Sequence, residues 1–257
     1  MPGVPMDFLD LLSRESKPRS RGITHVMDKG LGLRQVEDLL ETSADLIDII
    51  KLGWGTGYVT ANLEDKLAAY RAAGIPVCFG GTLLEVTLAQ GRFDEFRRML
   101  KRLDIGYVEV SDGVLDLSLE KKCEYIHTLA QDFVVLSEVG SKDTDAVVAP
   151  YLWVEAVQAE LAAGSWKVIG EARESGTVGL FRATGEIRSG LIDELLVSID
   201  PSDMIFEAPR KPQQVWFIKQ LGPEVNLGNI APEEVIPLET LRLGLRGDTF
   251  PLFHLND

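Results

Sequence analysis

Leu46-Ile47-Asp48-Ile49-Ile50-Lys51-Leu52-Gly53-Trp54-Gly55-Thr56-Gly57 is a short apolar run that closes on a cation and turns at once through three glycines. The same build recurs along the 257-residue chain. Residues 23–27 lead to Asp28, 75–79 to Gly80-Gly81 with Glu85 beyond, and 106–108 to Glu109. Residues 133–136 lead to Glu138, 166–169 to Glu171, 204–206 to Glu207, and 225–227 to Asn229. Roughly 22–36 residues separate successive runs, room for a loop, a helix and a return, which is the repeat of a (β/α)8 or TIM barrel. Barrel enzymes assemble their sites where the strands end, so the charged and amide groups there mark a catalytic mouth.

The segments between runs carry helical spacing. Val36, Leu39 and Leu40 recur at i, i+3 and i+4, and Phe93, Phe96 and Leu100 at i, i+3 and i+7. Further helices are predicted near 62–73, 118–130, 146–163, 188–198 and 212–221. Pro232 and Pro237 interrupt the last unit, so the eighth helix is expected to be abbreviated. Residues 1–20 read as a leader with a small amphipathic piece. No Pro/Gly/Ser-rich linker divides the chain, and residues 1–257 read as one domain. A doubly wound open sheet is the competing architecture. It is set aside because Asp28-Lys29-Gly30-Leu31-Gly32 lacks the third glycine of a dinucleotide turn.

Bulk properties narrow the function. A net charge of −14 argues against nucleic acid and against an anionic membrane surface as partner. No run of eighteen apolar residues is present, and the N-terminus has no secretory pattern. Two cysteines, Cys78 and Cys123, fall in different predicted elements and read as reduced thiols, so a cytoplasmic protein is expected. Without an HExxH, a Gly-x-Ser-x-Gly or a Cys/His cluster, zinc catalysis and nucleophilic hydrolysis are disfavoured.

Alternation decides which strand ends point inward. Ile47, Ile49 and Lys51 share a face, as do Tyr107, Glu109 and Ser111; Leu136 goes with Glu138, Ile169 with Glu171 and Arg173, and Ile205 with Glu207. If those faces line the barrel, Lys51 and the carboxylates of Glu109, Glu138, Glu171 and Glu207 meet at its top. A lone terminal carboxylate is usually a solvated loop residue, but several at one pole repel and need a cation. Hard oxygen ligands favour Mg²⁺. Lys51 either stabilises an anion or transfers a proton, since burial lowers a lysine pKa. Lys142, Arg173, Arg210, Lys211, Arg242 and Arg246 complete the cationic inventory near that pole. The glycine-rich turns at Gly55-Thr56 and Gly81-Thr82 can aim backbone N–H groups at a phosphate, sulfonate or carboxylate, or can simply be tight turns.

A set of ordered strings is more specific than any of these features. KPRSRGITHVMDKG (17–30), KLGWGTG (51–57), GGTLLE (80–85), VEVSDG (108–113), SEVGSKD (137–143), GEARESGTVG (170–179), FEAPRK (206–211), VNLGNI (225–230) and LETLRLGLRGDT (238–249) together resemble the phosphosulfolactate synthase family. The resemblance implies a (β/α)8 barrel and Mg²⁺-dependent addition of sulfite to phosphoenolpyruvate, giving (2R)-phospho-3-sulfolactate on the way to coenzyme M or sulfolactate. On that reading Glu109, Glu138, Glu171 and Glu207 supply the metal ligands or groups behind them. Lys51 is the proton donor or anion stabiliser, and Lys142 and Arg173 meet phosphate or sulfite. Asp28, Asp112, Glu174 and Asn229 orient those groups, with Ser111, Gly55, Thr56, Gly81 and Thr82 on the substrate. Residues 174–185 read as a closing lid or a passive loop.

Two rivals remain. The same strings resemble plant heat-stress-associated proteins, which would make this a non-enzymatic barrel. Another phosphoenolpyruvate- or enolate-using barrel lyase would share the site but not the nucleophile. A homo-oligomer is expected, because the amphipathic leader and short final helix leave apolar surface.

Overall fold

Strands form on the apolar runs: β1 Thr24–Asp28, β2 Ile49–Leu52, β3 Val77–Phe79, β4 Tyr107–Val110, β5 Val134–Val139, β6 Ser165–Gly170, β7 Met204–Glu207 and β8 Leu227–Ile230. The structure, a computed structural model, describes residues 6, 8–140, 149–172 and 175–255; Lys142, Arg173 and Glu174 lie outside the described residues. The ladders are parallel and run in the order β3-β2-β1-β8-β7-β6-β5-β4. The two ends of that order, β3 and β4, meet across a seam that side chains bridge. Gly81 N donates to Glu109 Oε1 at 2.6 Å, and Ser111 Oγ donates to Glu85 Oε1 at 2.6 Å. The eight strands and their interleaved helices make a nearly closed (β/α)8 barrel.

The helices are α1 Leu33–Ser43, α2 Thr56–Val59, α3 Leu63–Ala72, α4 Gly81–Ala89, α5 Phe93–Arg102, α6 Leu119–Ala130, α7 Pro150–Ala163, α8 Ser189–Ser198, α9 Lys211–Leu221, α10 Val235–Arg242 and α11 Phe250–His254. The last unit is short, as its prolines predict. A 3-10 turn at Pro232–Glu234 feeds the eight-residue α10, and Pro237 falls in its first turn, where no intrahelical N–H bond is lost. No helix among the described residues is long and apolar enough to cross a membrane.

The strands are buried on both faces, which is why they read as continuous apolar runs. Inside the barrel Ile23, Ile49, Cys78, Leu136, Ile169 and Ile205 form one cluster. Outside it Val26, Ile50, Val108, Val135, Val168 and Phe206 pack against the helices. Ile47 belongs to this outer cluster, not to the inner face expected for it. Alternation holds only from Ile49 on, because a 3-10 turn at Ala44–Leu46 precedes β2.

Buried charges tie helices to strand ends. Lys66 of α3 meets Asp28 Oδ2 at 2.6 Å and donates to the Leu31 carbonyl at 2.8 Å. Lys122 of α6 meets Glu160 of α7 at 2.8 Å and Asp112 at 3.0 Å, and donates to the Glu138 carbonyl at 2.5 Å. Arg242 does not join the catalytic pole. Fully buried, it donates to the carbonyls of Pro223, Val225 (2.7 Å) and Ile23 (3.2 Å), fastening the entries of β1 and β8 at the opposite end.

Arg242→Met should strand the Pro223 and Val225 carbonyls, at roughly 1–3 kcal/mol for each acceptor left without a donor, while the Ile23 carbonyl keeps the Leu227 N–H. Urea unfolding should show a loss of at least about 2 kcal/mol by that measure. An unchanged midpoint would mean that the guanidinium does not hold the barrel floor.

Candidate active site

Lys51 stands at the end of β2, pointing inward, with side chains from three other strands converging on it. Its Nζ lies 2.8 Å from Glu109 Oε2, 3.5 Å from Glu207 Oε1 and 3.8 Å from Glu138 Oε2. Each of these residues is buried. Alternation explains the convergence: the residues two positions earlier, Ile49, Tyr107, Leu136 and Ile205, belong to or pack against the inner cluster below. Glu171, just past the end of β6, completes the ring around a cavity of about 340 Å³. That volume suits a small molecule. A larger cavity of about 710 Å³, among Lys17, Asp48, Arg71, Tyr107 and Trp166, opens at the entry ends of the strands. That pole of a barrel serves stability, so the smaller cavity is the candidate site.

Charge, more than shape, characterises the cavity. Burial alone would lower the Lys51 pKa, but Glu109, Glu207 and Glu138 overcome it and hold the ammonium well above its ordinary value. The expectation of a burial-lowered lysine is therefore corrected: Lys51 is a fixed cation. The carboxylates bear the opposite strain. Burial pushes Glu207 up to about 7, with Lys51 opposing and Glu138 adding to the rise. Burial also raises Glu109, against the pull of Lys51. Among the described residues that line the cavity, four carboxylates face the Lys51 ammonium, a donor set that a further cation would suit.

Glu138, Glu171 and Glu207 each offer one oxygen, and these atoms lie within 4.8 Å of one another. Asn229 Oδ1, buried on the same cavity wall, has no hydrogen-bond partner among the described residues. Asn229 has a left-handed φ of 54°, which asparagine tolerates better than most residues. An all-oxygen set of this kind can hold a divalent metal and fits a hard one such as Mg²⁺. Glu109 stands apart from the trio, held by Gly81 N on one oxygen and Lys51 on the other.

The other expected site residues divide. Gly81 and Thr82 line the cavity with Asn229. Gly55 and Thr56 do not; the Thr56 hydroxyl donates to the Gly53 carbonyl at 2.7 Å, and Trp54 from the same turn lines the cavity instead. Asp28 faces away from the cavity. Its neighbour Met27 takes the inward position, so alternation turns the Asp28 carboxylate out toward Lys66 and the Tyr70 hydroxyl, 2.8 Å away. Ser111 and Asp112 follow the end of β4 and are drawn off to Glu85 and Lys122. The loop expected as a lid is, over its described residues, anchored to the core. Val178, Leu180 and Phe181 are buried, and Leu180 N donates to the Glu171 carbonyl at 2.9 Å. Gly179 makes that approach possible, with φ of 57° and no room for a Cβ beside the Glu171 carbonyl.

A buried carboxylate with a raised pKa favours folding while protonated and opposes it once ionised. For Glu207 the opposition grows as pH rises from 4.5 through about 7. Glu207→Gln should therefore flatten that part of the stability profile in metal-free protein. Its melting temperature should match or exceed the parent's on the alkaline side of the window. A variant that falls below the parent there, by thermal melts across the window, would contradict the electrostatic reading.

Known proteins bear on this geometry. The family model for (2R)-phospho-3-sulfolactate synthase (ComA) matches residues 12–248. The phosphosulfolactate synthase of Bacillus subtilis (strain 168) is 42% identical over 248 residues, 95% of this chain and 98% of the relative. That of Methanocaldococcus jannaschii is 45% identical over 236 residues, 90% of this chain and 94% of the relative. Among solved structures, 3-hexulose-6-phosphate synthase from Salmonella typhimurium aligns with a TM-score of 0.54 at 14% identity, covering 88% of this chain and 92% of that one. The YdjI aldolase from Escherichia coli K12 aligns with a TM-score of 0.55 at 11% identity, covering 83% and 76%. These two share the barrel alone. With the family model spanning nearly the whole chain and relatives above 40% identity, the chain belongs to the phosphosulfolactate synthase family, enzymes of the lyase class that form a carbon–sulfur bond.

Proposed function

We propose that this chain adds sulfite to phosphoenolpyruvate in a Mg²⁺-dependent reaction that yields (2R)-phospho-3-sulfolactate. The observation that carries the reading is the Lys51 ammonium set among carboxylates in a small closed-end cavity. In the reaction the sulfur lone pair forms a C–S bond at the methylene carbon. The C=C electron pair moves toward the substrate carboxylate, a proton arrives at the carbon bearing the phosphate, and no group leaves. Two multiply charged anions must approach one another, so the barrier is largely electrostatic.

Glu138, Glu171 and Glu207, with Asn229 Oδ1 beside them, are the groups that would hold Mg²⁺. When bound, the ion supplies Lewis-acid charge for the substrate carboxylate. Lys51 keeps its proton and presents fixed positive charge where negative charge grows, with little reorganisation. Glu109 orients Lys51 from across the seam. Gly81 and Thr82 begin α4 on the cavity wall, and a helix start favours an anion. Lys142 and Arg173 follow β5 and β6 in sequence and are proposed for the phosphate and sulfite charges. Free thiols at Cys78 and Cys123 support a reducing compartment, the cytoplasm. Exposed Phe8, Leu9, Leu252 and Leu255 support self-association.

Purified protein given phosphoenolpyruvate and sulfite should form phosphosulfolactate, followed by phosphorus NMR, and should stop when the divalent ion is chelated. Silence at saturating substrate and Mg²⁺ would overturn the proposal. Lys51→Ala should lower kcat by about 100- to 1,000-fold, the range for losing one preorganised charge. Its circular dichroism should stay that of the parent, and parent-like turnover would remove Lys51 from the machinery.

A further inference from the structure

Directly beneath the carboxylates lies a second cluster of different chemistry. His25 of β1, Cys78 of β3 and Glu109 of β4 each offer one ligand atom, and the three atoms lie within 4.8 Å of one another. His25 and Cys78 have no exposed surface, and Glu109 is 2% exposed. The imidazole is poorly satisfied for a group so deep. Its Nδ1 has no hydrogen-bond partner among the described residues, and its Nε2 is 4.0 Å from Cys78 Sγ, long even for a contact to sulfur. A buried polar group in that condition is a recognised sign of a missing ion or water.

We propose that His25, Cys78 and Glu109 form a binding site for a thiophilic divalent cation such as Zn²⁺ or Co²⁺, distinct from the all-oxygen site above it. The donor types select the ion. Imidazole, thiolate and carboxylate suit zinc-type ions, whereas Mg²⁺ prefers the oxygen trio. Such an ion holds its ligands at about 2.0–2.3 Å, so the three atoms need to close by roughly an ångström. Charge also balances. The thiol gives up its proton to solvent on binding, and thiolate plus carboxylate then neutralise the dication within an apolar interior. Lys51 is the obvious objection, since it lies 2.8 Å from Glu109 Oε2. It keeps Glu207 at 3.5 Å and Glu138 at 3.8 Å, so Glu109 can be shared without leaving the ammonium bare. An ion there would loosen the contact that orients Lys51, making the site inhibitory if the proposed reaction is correct. The binding itself stands whether or not the chain makes phosphosulfolactate.

The test is a Co²⁺ titration of the full chain with Mg²⁺ in excess to fill the oxygen trio. Sulfur-to-cobalt charge-transfer absorption should appear in the near ultraviolet, with visible bands of a low-coordinate ion. The absorption should vanish in Cys78→Ser and persist in Cys123→Ser, which reports the half-buried second thiol. Zn²⁺ affinity by calorimetry should fall by more than about 100-fold in Cys78→Ser, beyond the loss from an outer partner. Saturating cobalt without thiolate absorption in the parent would overturn the proposal regardless of how the variant folds. Absorption undiminished in a folded Cys78→Ser would do the same.

Discussion

The site depends on one ion cluster, the Lys51 ammonium buried against carboxylates from three other strands. Removing Lys51 from water is costly, and it is tolerated because carboxylates from β4, β5 and β7 close on it. Burial in turn raises the pKa of Glu109 and pushes that of Glu207 up to about 7. Either a proton or a cation would ease that electrostatic strain. In the proposed reaction the substrate is itself an anion, so metal, lysine and phosphoenolpyruvate would form one electrostatic problem rather than three.

Period-two alternation made much of this legible from sequence. Counting from the apolar residues below them points Lys51, Glu109, Glu138 and Glu207 inward, and the structure places them so. The count failed where the extended backbone stops. Ile47 precedes β2, so it does not inherit the alternation of its neighbours, whereas Ser111, just past β4, still meets Gly81 beside Glu109. Asp28 illustrates a different failure: a charged strand end drew notice although its parity pointed outward, and Met27 holds the inward place.

Partners across the fold were beyond reach. Lys66, Tyr70, Lys122 and Glu160 lie on helices where their spacing reads as ordinary amphipathic pattern, yet they hold Asp28, Asp112 and the backbone of Glu138. The behaviour of Lys51 shows the same boundary. Burial of a lysine is readable from its apolar neighbours, but the three acids that reverse the effect come from segments about 58, 87 and 156 residues away along the chain. Only closure of the barrel brings them within 4 Å.

That closure has a peculiarity. Between β3 and β4 the wall is joined by Glu109 reaching Gly81 and Lys51, and by Ser111 reaching Glu85, where other strand pairs use backbone ladders. One of the groups that fastens the cylinder is therefore also one that lines the cavity. Architecture and chemistry share a hinge pin here: whatever alters the protonation or ligation of Glu109 also alters how tightly the staves of the barrel are held.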